Sequence, residues 1–322
     1  MTLDLPSAAP GEPSASTRSP SYDLNCSDPV ADQLLREWLD GTRLVWPGNF
    51  KLTVHVGETN PFPPDTRQTF YQAGIAIQAG PDSGTVRVTW ESPAASAEVH
   101  ATLPEATIWL SPGAVKQIDA ASRSFLLIVL VFVMRRLGWY HVHGAALIDP
   151  KGRGWLIAGD SNCGKSTTTA LMATRGWRIG TDDIGFLAMR DDKVVSMGVR
   201  TRIALRPGGV ALLGATGGNV MKQRQKEGFW PEELGGAWAP VIVPEIVAFP
   251  RIGERTAVER STPRTALSNI VMWSHWVLYE PQFAQEHLDV LGKVARQSRC
   301  FDLTLGPDLF DNPDLLENLI PS

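Results

Sequence analysis

The chain has 322 residues, of which 43% are hydrophobic and 20% charged, so it has enough apolar material for a sizeable core and wholesale disorder is ruled out. Lys and Arg total 30 against 34 Asp and Glu, and a net charge of -4 argues against a globally cationic nucleic-acid binder. The three cysteines, Cys26, Cys163 and Cys300, lie far apart in sequence. They argue against a disulfide scaffold or a cysteine-rich zinc module and indicate a reducing compartment.

Residues 1–22 are rich in Pro, Ser and Ala and predict a disordered tail, because they cannot bury enough apolar surface to offset their ordering entropy. The tail carries Asp4 and Glu12 and has no apolar centre, so it does not resemble a secretory signal. The longest apolar run, FLLIVLVFVM at 125–134, is about half the ~20 residues needed to cross a bilayer. We therefore expect a buried helix there, a cytoplasmic location and no membrane partner.

Residues 23–116 are predicted to form a small β-rich N-terminal region. A helix begins after Asp28 and ends near Gly41, because apolar residues recur there at helical spacing. The alternating segments KLTVHV, TVRVTW and ATIWL then predict short antiparallel strands. We find no chemistry in this region, and its Trp and His residues are expected to serve packing and surface roles.

Residues 117–322 are predicted to form a second region of mixed strands and helices. The whole chain is therefore expected to be an α/β (α+β) protein. A helix over 117–138 leads into a hairpin, in which HVHGAALID and WLIAGD flank the turn PKGRG. The helical run TTTALMATRG follows and ends at Gly176. Later strands are expected in WRIGTDDIGFLAM, VVSMGVRTRIAL, VIVPEIVAF and RCFDLTL, with helices from Pro263 to about 296.

The glycine-rich segment 214–240 is predicted to be a mobile loop. It contains basic residues and the aromatics Phe229, Trp230 and Trp238, and a loop of more than ~15 residues in a compact domain is usually functional or disordered. We expect this segment to close over a binding site formed by other residues of the chain and to contact the molecule bound there. The alternative is an exposed insertion without a role.

Residues 159–166, GDSNCGKS, match the pattern G-x-x-x-x-G-K-[ST] of the P-loop. Glycines allow a tight turn whose backbone N–H groups surround phosphate oxygens, and the following helix adds the positive end of its dipole. Lys165 would supply a charge for the β- and γ-phosphates, and the Ser166 hydroxyl would bind Mg²⁺. The residues predicted to contact the nucleotide are Gly159, Asp160, Ser161, Asn162, Cys163, Gly164, Lys165, Ser166 and Thr167.

Two adjacent carboxylates, Asp182 and Asp183, follow the strand-like run after the P-loop helix. Neighbouring side chains on a strand point to opposite faces, so the two are expected to do different jobs. One would hold Mg²⁺ and the other would reach a substrate hydroxyl. A polar turn between two strands is the structural alternative.

Three further groups are more ambiguous. Arg200, Arg202 and Arg206 alternate along a strand-like run and predict either a phosphate pocket or a solvated strand face. His141 is expected to be a packed or surface residue. The aromatic segment WSHWVLYEP at 273–281 is expected to belong to the core.

The ordered set HVHGAALID, GDSNCGKS, a helix ending in RG, and TDD resembles the core of the bacterial HPr kinase/phosphorylase family over roughly residues 141–187. The resemblance implies a fold of the HPr kinase / PEP carboxykinase-like type and an enzyme that uses ATP and Mg²⁺. It implies that Lys165 and Ser166 serve phosphate and Mg²⁺, and that Asp183 acts on the metal. It also implies that Asp182 is the general base for the acceptor hydroxyl and that His143 sits beside that base.

Two departures separate the chain from the regulatory members of that family. Thr167 stands where those kinases usually carry Glu, and VRTRIALRPGGVALL replaces their GLGIINV-type signature. The chain resembles more closely the divergent relatives, among them kinases that modify lasso-peptide precursors at a C-terminal Ser. The expected acceptor is therefore a Ser of a peptide or small protein rather than HPr, with no nucleic-acid partner.

Several alternatives stay open at the level of sequence. The same fold could serve a small-molecule kinase, or a nucleotide-dependent regulatory protein with little turnover. ATP, GTP and pyrophosphate are not distinguished as donors, and a homo-oligomer is compatible with the sequence.

Overall fold

A computed structural model describes residues 22–44, 48–57, 62, 69–72, 74–79, 84–92, 94–118, 122–215, 218–221 and 226–320. These residues form a mixed α/β fold in which the strands are organised into three sheets. Of the predicted disordered tail, residues 1–21 lie outside the described residues, and Tyr22 begins the first strand.

The first sheet has the strand order β1-β2-β7-β6-β5-β4-β3, in which β1, β2 and β7 are parallel and the other neighbours antiparallel. The segments KLTVHV, TVRVTW and ATIWL are confirmed as strands β2, β5 and β7, and most of their alternate apolar side chains are buried. The predicted antiparallel arrangement is wrong for β2 and β7, which pair in parallel, because alternation within a strand does not specify its neighbour or its direction. The strands are β1 (Tyr22–Cys26), β2 (Phe50–Val56), β3 (Thr69–Gln72), β4 (Ile75–Ala79), β5 (Val86–Trp90), β6 (Ala95–Val99) and β7 (Glu105–Leu110).

Three helices belong to this half of the chain: α1 (Pro29–Gly41), α2 (Pro112–Val115) and α3 (Ser122–Arg136). The carboxylate of Asp28 accepts a hydrogen bond from the Ala31 N–H at 2.8 Å and caps α1, as its sequence predicts. The helix predicted over 117–138 is observed as α3, and the apolar run 125–134 within it is buried apart from a partly buried Leu127, as expected. Helix α3 packs on β5, β6 and β7 and also on the second half of the chain. These contacts do not assign the helix to one region alone, so the boundary between residues 116 and 117 stays a prediction.

The second half of the chain contains a large sheet with the order β17-β12-β11-β8-β9-β18-β20-β19, and β10 pairs with β8 and with β16. Its strands, together with those of a small third sheet, are β8 (Tyr140–Ile148), β9 (Gly154–Ala158), β10 (Arg178–Thr181), β11 (Ile184–Arg190), β12 (Lys193–Gly198), β13 (Ile203–Leu205), β14 (Asn219–Met221), β15 (Lys226–Phe229), β16 (Ala237–Trp238), β17 (Val241–Ile242), β18 (Pro244–Ile252), β19 (Ala257–Arg260) and β20 (Arg299–Leu305).

The predicted hairpin is confirmed as the antiparallel pair β8 and β9. Strands β9, β18 and β20 are parallel, so their carboxyl ends meet at one edge of the sheet. The glycine-rich loop that follows β9 leaves the sheet at this edge, which is where open α/β sheets bind ligands.

Helices cover both faces of the large sheet. On one face α4 (Lys165–Thr174) packs on Trp155 and Ile157, and on the other α6 (Pro263–Met272) and α7 (Pro281–Gln297) pack on the side containing Leu156 and Ala158. The remaining helices are α5 (Pro207–Leu213), α8 (Asp308–Asp311) and α9 (Leu315–Leu319), with 3₁₀ helices at Pro231–Leu234 and His275–Leu278.

The prediction that 214–240 is a single mobile loop is wrong for the part that the structure describes. Strand β15 pairs with β13 on one side and with β14 on the other, and Phe229 is 1% exposed. The strands have three or four residues each, and the pairing of β15 with β13 is a non-local contact that a glycine-rich local pattern does not encode. Lys222 and Arg224, two of the basic residues of this segment, lie outside the described residues.

The single strand predicted through Arg200, Arg202 and Arg206 is also wrong. Strand β12 ends at Gly198, and β13, which belongs to a different sheet, begins at Ile203. The chain turns between them because the Val199 N–H bonds the Ile184 carbonyl at 3.1 Å and the Arg200 N–H bonds the Thr42 carbonyl at 2.8 Å.

Candidate active site

Residues 159–166, named here the glycine loop, join the end of β9 to the start of α4. Asn162 and Gly164 have positive φ angles of 70° and 98°, which produce the tight turn into the helix. A Cβ atom at Gly164 would lie 2.8 Å from the Cδ1 of Leu305, so any larger residue there would also have to displace the end of that side chain. The strand–loop–helix arrangement expected around this motif is thus present.

Lys165 is 6% exposed, and its ammonium group lies across the glycine loop. Its Nζ donates to the carbonyl oxygens of Gly159 and Asp160, both at 2.7 Å, and lies 3.2 Å from Nε2 of His143. To contact a phosphate in the loop, the ammonium group would exchange these carbonyls for phosphate oxygens.

His143, near the middle of β8, connects Lys165 with Asp183. Its Nδ1 lies 2.9 Å from Oδ1 of Asp183. Because an ammonium group has no acceptor, Nε2 must accept from Lys165, and Nδ1 then carries the hydrogen that is donated to Asp183. Partial burial acts to raise the pKa of Asp183, but the hydrogen bond from His143 and the nearby charge of Lys165 hold it below its usual value. The side chain of Asp183 is 47% exposed and is therefore accessible to a ligand.

Asp182 faces the opposite direction and is buried against α4. Burial raises its pKa to about 6, and the nearby hydroxyls of Ser166 and Thr169 oppose that rise. Its Oδ1 atom is buried and has no hydrogen-bond partner among the described residues. The two adjacent carboxylates therefore have different surroundings, as expected: one lies beside Ser166 and the other beside His143.

The bend that carries both carboxylates is held by Thr181. Its hydroxyl accepts from the Ile184 N–H at 3.2 Å and lies 3.0 Å from the Ile184 carbonyl and 3.3 Å from that of Val199. Gly198 packs so tightly here that a Cβ atom would lie 2.2 Å from the Cβ of Thr181. Sequence reasoning missed Thr181 and Gly198, although the Gly-rich end of a strand was a usable signal for a close backbone approach.

The backbone of β8 at the site is fixed from two sides. The His143 N–H bonds the Trp273 carbonyl at 2.8 Å, and the Gly144 N–H bonds the Asp183 carbonyl at 3.2 Å. A Cβ atom at Gly144 would lie 2.8 Å from the carbonyl oxygen of Ile157, which explains the glycine after His143. The role of Trp273 was also missed, since nothing in the sequence relates it to β8.

The other loop residues have local roles. The Asp160 carboxylate accepts from the Ser161 N–H at 2.6 Å, and Thr167 lies beside Gly209 of α5. Burial raises the pKa of the Cys163 thiol, which makes it a weak nucleophile despite Lys165 nearby.

The structure does not bring Arg200 and Arg202 together as a phosphate pocket. Their guanidinium groups lie 4.1 and 4.7 Å from the ring centre of Trp230 and pair with Glu232 and Glu233, respectively. His141 is packed against Phe186 and Trp276, and burial lowers its pKa to about 3, which confirms the expected packing role.

Two features are absent from the described residues. No group of three or more His, Cys, Asp or Glu side chains is arranged there to hold a metal ion without further ligands. Across the same described ranges, no helix combines the length and apolar character needed to span a membrane.

No protein-family model and no curated protein matches the sequence. A solved structure of the Hpr(Ser) kinase/phosphatase from Coxiella burnetii matches with a TM-score of 0.30 and 14% sequence identity, over 56% of this chain and 92% of the other. A likeness at this level defines neither the family nor the reaction of this chain.

Proposed function

We propose that the protein is a phosphotransferase that moves the γ-phosphoryl group of ATP to a hydroxyl group. The observation that carries this proposal is the continuous contact Lys165–His143–Asp183, which joins a glycine loop to an accessible carboxylate. A protein that only binds a nucleotide does not need an oriented carboxylate next to its phosphate site. The arrangement therefore favours transfer over a purely regulatory role.

The donor would bind in a P-loop. The backbone N–H groups of the glycine loop and of the first turn of α4 would surround the phosphates, with the predicted contacts at 159–167. Lys165 would neutralise the developing negative charge after leaving the Gly159 and Asp160 carbonyls.

The residues present fit a magnesium ion, because the unpartnered Oδ1 of the buried Asp182 and the Ser166 hydroxyl are hard oxygen ligands on one side of the loop. We propose that these two residues hold it, so the contacts favour Asp182 over Asp183 for this role. The ion would supply charge neutralisation for the phosphate oxygens. Few protein ligands are needed, since Mg²⁺ usually keeps waters and phosphate oxygens.

On the acceptor side we propose Asp183 as the general base and His143 as the group that orients it. The acceptor oxygen would attack the γ-phosphorus as the bond to the β–γ bridging oxygen breaks, and its proton would pass to Asp183. This exchanges the roles that the family resemblance gave to the two carboxylates. Exposure and the contact with His143 support the exchange.

The proposed acceptor is a Ser of a peptide or small protein, as the sequence resemblance implies. Met272 and Leu278, which lie on either side of the segment 273–277 whose first carbonyl bonds the His143 N–H, are 66% and 80% exposed. Exposed apolar side chains next to a reaction centre favour a large acceptor over a small polar metabolite.

Calorimetry with Mg-ATP and assay of ATP turnover test the proposal. Lys165→Ala should weaken binding by about 2–3 kcal/mol, the value of a charge-assisted phosphate contact, and abolish turnover. The matched control is Lys151→Ala, in the β8–β9 turn, where the lysine is half exposed and pairs only loosely with Glu317 at 3.8 Å. Equal Mg-ATP affinity for the wild type and both variants would refute the donor site.

A further inference from the structure

Arg135, near the end of α3, is a cation buried in the core between the two halves of the chain. Its side chain is 2% exposed, and burial lowers its pKa to about 10, so it stays charged at neutral pH. Burying a charge is costly, and replacing a buried ion pair by apolar side chains is often neutral or stabilising. The partners of Arg135 therefore indicate its role better than its contribution to stability does.

The guanidinium group of Arg135 binds backbone carbonyl oxygens at the end of one helical turn. It donates to the carbonyl oxygens of Trp276, of Val277 at 3.3 Å and of Glu280 at 3.4 Å. These carbonyls belong to the 3₁₀ helix His275–Leu278 and to the residue before α7. Carbonyls at the end of a helical turn lack partners inside the helix and favour a cation, so Arg135 fixes this turn onto α3.

The neighbouring Arg136 has a different set of partners. It forms a salt bridge with the Glu280 carboxylate through Nη1 at 2.8 Å and through Nη2 at 2.5 Å, and it also donates to the carbonyls of His100 and Phe132. Among the described contacts it donates to none of the carbonyls of the 3₁₀ helix. Both arginines contribute charge near the Glu280 carboxylate, since Nε of Arg135 lies 3.7 Å from it, but the close contacts with that carboxylate come from Arg136. Of the two, only Arg135 binds the carbonyls of the turn.

The turn held by Arg135 leads directly to His143. The Val277 N–H bonds the Ser274 carbonyl at 3.0 Å, and the preceding residue, Trp273, accepts from the His143 N–H at 2.8 Å. A displacement of the 3₁₀ helix would therefore move the carbonyl that fixes the backbone of His143. Within the described ranges, no hydrogen bond or ion pair joins Arg135 directly to His143 or Asp183.

We propose that Arg135 is a positioning residue for His143, acting through the 3₁₀ helix and the Trp273 carbonyl. The structural part of the proposal, that Arg135 fixes the backbone at His143, rests on the contacts described here. Only the expected effect on turnover rests on the proposed function. The two parts can therefore be tested separately.

Hydrogen exchange of the His143 amide, followed by NMR on the full chain, tests the placement. Arg135→Met keeps the aliphatic stem and removes all donors, and should raise the exchange rate at His143 about tenfold, the effect of losing one hydrogen bond. Amides of α4 should keep wild-type rates. Arg136→Met, the matched control, removes a cation from the same Glu280 and should leave His143 unchanged.

Arg135→Lys keeps the charge beside Glu280 and guards against a variant that does not fold. A single ammonium group cannot bind three carbonyls in the geometry of a guanidinium, so exchange at His143 should still rise several-fold. Wild-type exchange at His143 in a folded Arg135 variant, or an equal rise in Arg136→Met, would overturn the proposal.

Turnover of Mg-ATP gives the second readout. Arg135→Met should lower kcat about tenfold with an unchanged KM for Mg-ATP, because His143 orients the base and does not bind the donor. Arg136→Met should keep the wild-type kcat. An inactive wild type would refute the proposed function and leave the exchange experiment valid; a wild-type kcat in Arg135→Met would refute the positioning role.

Discussion

His143 and Asp183 form a hydrogen-bonded pair, with Nδ1 of the ring 2.9 Å from the carboxylate Oδ1. The opposite ring nitrogen lies 3.2 Å from Nζ of Lys165, so one imidazole contacts both the glycine loop and the accessible carboxylate. Movement of Lys165 onto a phosphate would therefore change the surroundings of the ring that orients Asp183. The donor and acceptor sides of the proposed reaction are connected through this ring.

The different surroundings of the two carboxylates predict different kinetic defects. Asp183→Asn should keep Mg-ATP binding and lower transfer by ~10²–10⁴-fold, the usual effect of losing a general base. Asp182→Asn should raise the Mg²⁺ concentration needed for half-maximal turnover, because a buried oxygen beside Ser166 is lost. A magnesium titration of both variants makes the measurement. Identical titration curves would contradict the division of roles, and a reversed pattern would restore the assignment implied by the family resemblance.

Steric contacts behind the site predict that Gly144 cannot be replaced. In Gly144→Ala the new methyl group would meet the Ile157 carbonyl at 2.8 Å, and the resulting overpacking should lower the free energy of unfolding by about 1–3 kcal/mol. Gly208→Ala, in α5, is the matched control, because its Cβ would meet no atom within 4 Å. That change should raise the free energy of unfolding by up to about 1 kcal/mol, since alanine restricts the unfolded chain. Urea denaturation measures both, and equal effects would refute the steric argument.

Local patterns were sufficient to predict many of the elements. Periodicity identified α1, α3, the β8–β9 hairpin and β20, because each is a run of residues with one buried face or a fully apolar composition. The same approach failed at β14 and β15. There the strands are short, and β15, which lies between β14 and β13, pairs with β13 in a way that local sequence does not specify.

The sequence predicted which residues form the candidate site better than it predicted which of them contact each other. His143, Lys165 and the two carboxylates were all named from the sequence, and their side chains lie together. Which carboxylate meets His143 depends on the path of the bend after Thr181, and that path is set by the tight contact with Gly198. The sequence gives no sign of the contacts of Arg135, because its partners are carbonyls far along the chain.

Burial of Phe229 predicts that the 214–240 segment is part of the folded core. Phe229→Ala should lower the free energy of unfolding by about 3–5 kcal/mol, as for other fully buried phenylalanines. Lys226→Ala, on the same strand and only partly buried, should change it by no more than about 0.5 kcal/mol. Thermal or urea unfolding distinguishes the two cases. A Phe229 variant as stable as the wild type would return this segment to the exposed loop predicted from its composition.

Burial of His287 predicts a specific pH dependence of stability. The side chain is fully buried and stacks on Tyr140 at 4.7 Å, and burial, with a further contribution from the charge of Arg135, lowers its pKa to about 3. In the unfolded chain a histidine titrates near 6.5, so between pH 6.5 and pH 3 the unfolded state binds a proton that the folded state does not. The free energy of unfolding should therefore fall as the pH drops below 6.5.

A variant without this imidazole isolates its contribution. When the pH is lowered from 7 to 5, the free energy of unfolding of His287→Leu should rise by about 2 kcal/mol relative to that of the wild type. The variant lacks the imidazole that is protonated only in the unfolded state, and this protonation difference costs the wild type about 1.4 kcal/mol per pH unit. Leu288→Ala, at a partly exposed position on the same helix, carries no titratable group and should keep the wild-type pH profile. Urea denaturation at the two pH values gives the free energies of unfolding. A constant difference between His287→Leu and the wild type would show that His287 is not held neutral in the folded protein.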